Sequence, residues 1–363
     1  MLKLQENFMF GVVFLLLCFI TGYFICKIVF PSLNEVTKKT FRGETILLPK
    51  WFIQVPAWFL TGTLIMTWLT YLVGYCFKSQ REPLFFANWI VMPTVLLFCV
   101  INIIIDWKKG QKPKKFSWKE NFPQTFGEWI FVFLIVLLIT QLMFWTFYIK
   151  EEKLGVGLSV FSDFSPHLGM IRSFSYGNNF PTQYAHFAGE DIRYHFMFQF
   201  LVGNLEYLGL RLDFAFNLPS IFSLIGTFLL LYVLAVKLTG TRMVGYLTAL
   251  FFAFRSSPTF FVFLINQIRE KGSLFEAVAT LKNNIEFIGI TPYESWGLWN
   301  LNVYCNQRHL AFSLMALLLA LLLFLPLLYE QTKRLKTIIS SNKNQASSWK
   351  IKLKFWFQTS FLT

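Results

Sequence analysis

Apolar runs long enough to cross a bilayer recur along this chain, and an α-helix needs about twenty such residues to span the hydrocarbon. Seven runs can be read: Phe8 to Phe30, Gln54 to Cys76, Phe86 to Ile105, Trp129 to Tyr148, Phe214 to Val236, Met243 to Phe254 and Leu310 to Leu328. Composition argues against a soluble alternative. Only 14% of the 363 residues are charged and 45 are Phe, where a soluble domain carries roughly 25% charged residues. The expected fold class is therefore all-α: a polytopic transmembrane helical protein of about seven spans. The N-terminal run is too long for the ~7–15-residue core of a signal peptide and lacks a clean small-x-small cleavage site, so it reads as a retained span.

The net charge of +14 does not point to nucleic acid, because the basic residues cluster between apolar runs, as in the positive-inside pattern. The richest clusters are the loop with Lys108, Lys109, Lys112, Lys114, Lys115 and Lys119, and the tail from Glu330 with Lys333, Arg334, Lys336, Lys343, Lys350, Lys352 and Lys354. Placing both in the cytoplasm puts residues 150–213 and 266–307 outside, and the N-terminus outside. This count requires that RYHFMFQFLVGNLEYLGL, Arg193 to Leu210, does not cross but lies at the interface as an amphipathic helix. A further full crossing there would instead send the tail outside. The organisation expected is a three-span region 1–126, a core 127–329 with the two outer loops, and a basic tail 330–363, in a plasma membrane of bacterial type. Cys18, Cys26, Cys76 and Cys99 fall in or at the ends of apolar runs and only Cys305 lies in an outer loop, so no disulfide framework is expected.

The chemistry-bearing residues gather in the outer segments. All four histidines, His167, His186, His195 and His309, fall there or at their membrane edge. Asp163 and His167 are four apart, so a short helix sets them on one face. Arg172 follows, then Glu190 and Asp191 just before Arg193 and His195. Ionisable groups at a membrane face usually line a pathway or a site. Each also has a plainer reading. Asp163 and His167 could cap a loop helix and pair with Arg172. Glu190 and Arg193 could form a surface ion pair of little worth. Arg308 and His309 could anchor the last span, and Arg255 could snorkel to the headgroups.

One order of features carries a resemblance. An aspartate follows soon after a span, in a short helix. Then come the turn Pro181-Thr182-Gln183-Tyr184, a stretch ending in YLGL, and NLPSIFSLIGTFLLLYVLAVKLTGTRMVGYLTALFFAF. Over residues 155–254, with weaker support from NQRHLAF at 306–312, this resembles the first outer loop and next two spans of GT-C superfamily glycosyltransferases. That superfamily includes protein O-mannosyltransferases and the aminoarabinose transferase of lipid A; uncharacterised bacterial mannosyltransferase-like proteins look closer still. The chain departs from the family in having three spans before the loop's own span. It also ends after about seven spans with no soluble C-terminal domain, and is expected to be a truncated or compact divergent member.

The resemblance implies transfer of a sugar from a polyprenyl-phosphate or diphosphate carrier to an extracytoplasmic acceptor. It implies Asp163 as general base, with His167 orienting it. Arg172, Glu190, Asp191, Arg193, His195, Arg255, Arg308 and His309 then become candidates for substrate binding, with Arg308, His309 and Arg255 on the carrier phosphate. The partners implied are the lipid-linked sugar donor and membrane lipid, with no nucleic acid. A divalent metal on Asp163 and His167 is left open, since D-x-x-x-H offers fewer ligands than a closed site needs. Two other classes fit the composition: a transporter or flippase of the cell envelope, and a non-catalytic assembly protein.

Overall fold

In the computed structural model the described residues are 8–34, 46–109, 123–157, 160–187, 189–254, 259–280 and 301–341. Among them six helices are long and apolar enough to cross a membrane. They are α1 (Phe8–Val29), α2 (Trp51–Cys76), α3 (Pro83–Lys108), α4 (Phe126–Thr146), α7 (Leu212–Thr239) and α12 (His309–Ser341). Short elements fill the gaps: a hairpin of β1 (Phe147–Lys150) and β2 (Lys153–Val156), then α5 (Phe161–Ser175), α6 (Met197–Tyr207), α8 (Arg242–Ala253), α9 (Thr259–Lys271), α10 (Leu274–Thr280) and α11 (Asn302–Asn306). The protein is an all-α polytopic membrane protein, with one two-stranded hairpin added. The run at Met243–Phe254 falls on α8, whose 12 residues reach about 18 Å at 1.5 Å each, short of a full crossing.

The chain divides into two units, Met1–Leu319 and Ala320–Thr363. The second is described only as the continuing turns of α12, where Arg334 Nε donates to Glu330 at 3.3 Å one turn away. Everything below concerns the first unit. There α2 packs on α1, α3 and α7. The α1–α2 crossing is set by glycine on each side. A Cβ on Gly22 would fall on the Trp58 carbonyl oxygen, and one on Gly62 on the Cys18 carbonyl oxygen. Without a water-driven force between helices in lipid, such backbone approach is what small residues supply.

The spans have two chemically distinct ends. At one, Lys27 of α1 meets Asp106 of α3 at 2.6 Å. Nearby in kind, Thr125 and Glu128 form a capping box that starts α4. The buried Glu128 carboxylate accepts from Arg242 Nε at 3.0 Å and from the Tyr232 hydroxyl at 3.1 Å. Arg242 also donates to the Leu47 carbonyl just before α2. This basic end gathers the C-termini of α1 and α3 with the N-termini of α2, α4 and α8.

The opposite end is built from residues 147–211. The hairpin turns on Glu151 and Glu152, both at positive φ (52° and 60°), the pattern of a two-residue type I′ turn. Asp213, 1% exposed, fastens it to α7 by accepting from Ile149 N at 3.1 Å and from Nε and Nη2 of Arg211 at 2.6 and 2.7 Å. Gly11 N, near the start of α1, donates to the Leu208 carbonyl, so the α1 N-terminus lies at this end.

The segment Arg193–Leu210 does not cross. Its helix, α6, has only 11 residues. Nor is it an amphipathic helix resting on a surface, because all eight residues from Gln199 to Glu206 are buried. Its polar groups find partners inside the protein. Asn204 and Asn88 of α3 exchange amide hydrogen bonds at 2.7 and 3.1 Å. Glu206 accepts from Ser175 at 2.7 Å and pairs with Arg172 at 3.0 Å. The height of α6 follows from the lysines of the basic end. About twenty residues cross the hydrocarbon, and counting that far from Lys50 along α2 reaches Tyr71. Counting back from Lys108 along α3 reaches Asn88. Both touch α6: Asn88 through Asn204, and Tyr71 through Phe200, with ring centroids 5.2 Å apart. So α6 sits at the hydrocarbon edge, enclosed by the last turns of the spans.

Candidate functional site

Helix α5 carries Asp163 in its first turn and Arg172 near its last. The intervening turn puts Asp163 and His167 on one face and Arg172 elsewhere, toward Glu206 and over the Tyr176 ring at 4.9 Å. Asp163 is half-buried and His167 is 3% exposed. The plainer reading in which Asp163 pairs with Arg172 is therefore not realised; Glu206 takes that arginine.

Around His167 the structure gathers groups from three segments. The rings of His195 and His309 lie 3.6 Å apart at 37°. His167 meets His309 edge-on at 6.3 Å, and Tyr194 stacks beside His195 at 3.7 Å. The Tyr194 hydroxyl donates to Gln307 at 3.5 Å, fixing this loop to the start of α12. His186 approaches α5 from the other side, its Nε2 3.3 Å from the Pro166 carbonyl oxygen.

Burial keeps His167 neutral. Loss of water pulls its imidazole down to about 4; the Asp163 charge opposes this, while His195 and Arg308 add to it. Burial also lowers His195. The Asp163 charge reaches Tyr194 as well, joining burial in raising its phenol.

Arg308 is 1% exposed, and protein atoms surround its guanidinium. It donates to Asn217 Oδ1, to Thr146 Oγ1 at 3.2 Å, and to the carbonyls of Met143 at 3.3 Å and Cys305 at 3.4 Å. The rings of Phe216, Phe164 and Phe147 lie 4.4, 5.1 and 5.8 Å from it, a cation–π enclosure. Among the described residues no carboxylate lies within ion-pair distance of it. Burial lowers its pKa to about 9, so it stays charged at neutral pH and acts as a fixed positive centre behind His167.

The other candidates lie apart. Glu190, Asp191 and Arg193 are exposed; Asp191 bridges to Gln183 across a turn. Among the described residues Glu190 and Arg193 form no ion pair. Arg255 and most of the second polar stretch lie outside the described residues. Among those described, no three His, Cys, Asp or Glu groups are disposed to hold a metal ion.

Beneath the histidines opens a cavity of about 180 Å³ between α2, α6 and α12. His195 and His309 form its head. Its apolar walls include Met197, Phe198, Leu201 and Phe312, and Thr63 and Thr67 of α2 line it too. Its outer rim holds Leu64 and Trp68, 47% and 45% exposed on the lipid-facing side of α2. The sequence reading took α2 as a span and named none of its residues for the site, although a signal existed. Thr63, Thr67 and Thr70 recur at i, i+4 and i+7, one face of a helix, and all three are buried.

Comparison with protein-family models, curated proteins and solved structures finds no match to this chain.

Proposed function

We propose that this integral membrane protein is a glycosyltransferase that moves a sugar from a polyprenyl-phosphate or diphosphate carrier to an acceptor hydroxyl at the histidine end. The observation that supports the reading is the cluster of Asp163, His167, His195 and His309, two of which, His195 and His309, line a cavity open to lipid. A carrier of this kind keeps its tail in hydrocarbon and its phosphate at the edge, the height at which α6 and the histidines sit.

In the reaction, Asp163 takes the proton of the acceptor hydroxyl as its oxygen attacks the anomeric carbon. The bond from that carbon to the carrier's phosphate oxygen breaks, and the phosphate leaves with the electron pair. A single displacement inverts the anomeric centre. His167, neutral and packed one turn from Asp163, positions the base. His195, exposed beside His309, faces the departing phosphate. Arg308 adds positive potential from a site of low polarity, where charge acts over longer range than in water. Its enclosed guanidinium makes it a positioning residue in this scheme rather than a phosphate ligand.

The test is transfer of labelled sugar from a polyprenyl-phosphate donor by membranes holding wild type or Asp163→Asn at equal expression. Loss of the base is expected to cost about 10²–10⁴-fold in rate. Full activity in the variant removes Asp163 from the role.

A further inference from the structure

Two threonines of α2, Thr63 and Thr67, are among the buried polar groups that find no hydrogen-bond partner in the described residues. Hydroxyls within these helices generally bond back to the carbonyl four residues earlier, as Thr70, Thr94, Ser220, Ser223 and Thr248 do. Thr67 does not. Its Oγ1 is buried with no hydrogen-bond partner, and the residue is 5% exposed. His309 Nδ1, in the same cavity, is likewise buried and unpaired. Thr63 Oγ1 is also unpaired by hydrogen-bond geometry, though the weakly bonding Cys18 thiol lies beside it. An orphaned hydroxyl inside a lipid-facing cavity is costly unless an occupant satisfies it.

We propose that this cavity is a lateral binding site for one acyl chain and the ester group of a glycerolipid, with Thr67 donating to the ester carbonyl. Three observations select this occupant. The walls are apolar and the rim at Leu64 and Trp68 faces lipid, so the occupant enters from the bilayer. Thr67 lies one helical turn inside the hydrocarbon edge marked by Tyr71, close to the level where a glycerolipid's esters give way to its chains. A polyprenyl tail has no acceptor below its phosphate and would leave Thr67 unpaired, whereas an acyl ester supplies a carbonyl there. The unpaired His309 Nδ1, at the head of the cavity, is left for the glycerol or headgroup. Resting on the transferase reading for its role only, the bound lipid would hold its headgroup hydroxyl toward Asp163 as the acceptor. The binding itself requires no turnover.

The experiment uses the full chain in nanodiscs with three photoreactive probes. These are a phosphatidylglycerol with a diazirine in one ester-linked chain, its dialkyl ether counterpart, and a diazirine-bearing polyprenyl phosphate. Labelling is read on the peptides holding Trp68 and Phe312, for wild type and Thr67→Val. The ester probe is expected to label wild type about tenfold more than the ether probe, the effect of one hydrogen bond to an otherwise orphaned group. Thr67→Val should bring ester labelling down to the ether level and leave ether labelling unchanged. Equal ester and ether labelling of wild type, an equal loss of both in the variant, or preferential labelling by the polyprenyl probe overturns the assignment. Sugar transfer is not measured, so this result stands apart from the fate of Asp163.

Discussion

Arg308 illustrates how far a residue's identity and its use can diverge. Beside His309 at the start of a span, it reads from the sequence as a cation waiting for a phosphate. Folding instead wraps it in Phe147, Phe164 and Phe216 and gives its N–H groups to Asn217, Thr146 and two carbonyls. Those acceptors come from α4, α7 and α11, more than ninety positions away in chain for the first two, which no local pattern announces. The histidines were more legible, because all four already fell in polar segments between runs. What the sequence withheld was that three of the rings cluster. Their burial has a pH consequence. His167 takes its proton near pH 4 when folded and near 6.5 when unfolded. Between those values the unfolded chain binds the extra proton, so stability rises with pH across that window. It is complete above about pH 6.5 and lost as the pH falls toward 4, on the order of 3 kcal/mol at most. Thermal midpoints in detergent from pH 4.5 to 7.5 are expected to climb for wild type and to run flatter for His167→Gln. Parallel profiles would mean that the imidazole gains its proton as readily in the fold as out of it.

Among the elements, hydropathy located the long spans well and their ends less well. The run ending at Tyr148 stops as a helix at Thr146, because Phe147 enters a hairpin strand paired with Val156, which apolar content alone does not distinguish from helix. The segment Arg193–Leu210 shows the limit more clearly. Its mixed apolar and polar residues suggest a surface helix, and only Asn88, Ser175 and Arg172 reveal that Asn204 and Glu206 are paired inside. Helix α2 carries the largest share of what was missed, since a polar stripe in a span is outweighed by its apolar neighbours in any window average. The α1–α2 crossing gives the sharpest test at this scale. Gly62→Leu drives a side chain into the Cys18 backbone, which the close-packed interior cannot absorb by a rotamer change. A loss of about 2 kcal/mol or more is expected from such overpacking, read as a lower unfolding midpoint in detergent.

For the whole molecule, the physics turns on polarity between two ends. Lys27, Asp106, Glu128 and Arg242 lock the helix termini at one end; Asp163, the histidines and Arg308 occupy the other. The separation of the two ends is internal to the structure, while the side each end faces rests on the positive-inside rule, in which Lys and Arg stay cytoplasmic. With Lys108 and Lys109 at the first end, that rule predicts a histidine end facing away from the cytoplasm. Two positions exposed at opposite ends, Ala185 and Lys109, separate the possibilities in a background with the native cysteines changed to alanine. Ala185→Cys is expected to react with a membrane-impermeant maleimide in intact cells. Lys109→Cys should react only after permeabilisation. The reverse pattern would invert the protein and take the proposed site away from an extracytoplasmic acceptor. Labelling of both from one side would contradict the fold itself, because α3 separates Glu82 from Lys109 by a full crossing, and the Arg81 carbonyl beside Glu82 is held by Asn178 of the Ala185 loop.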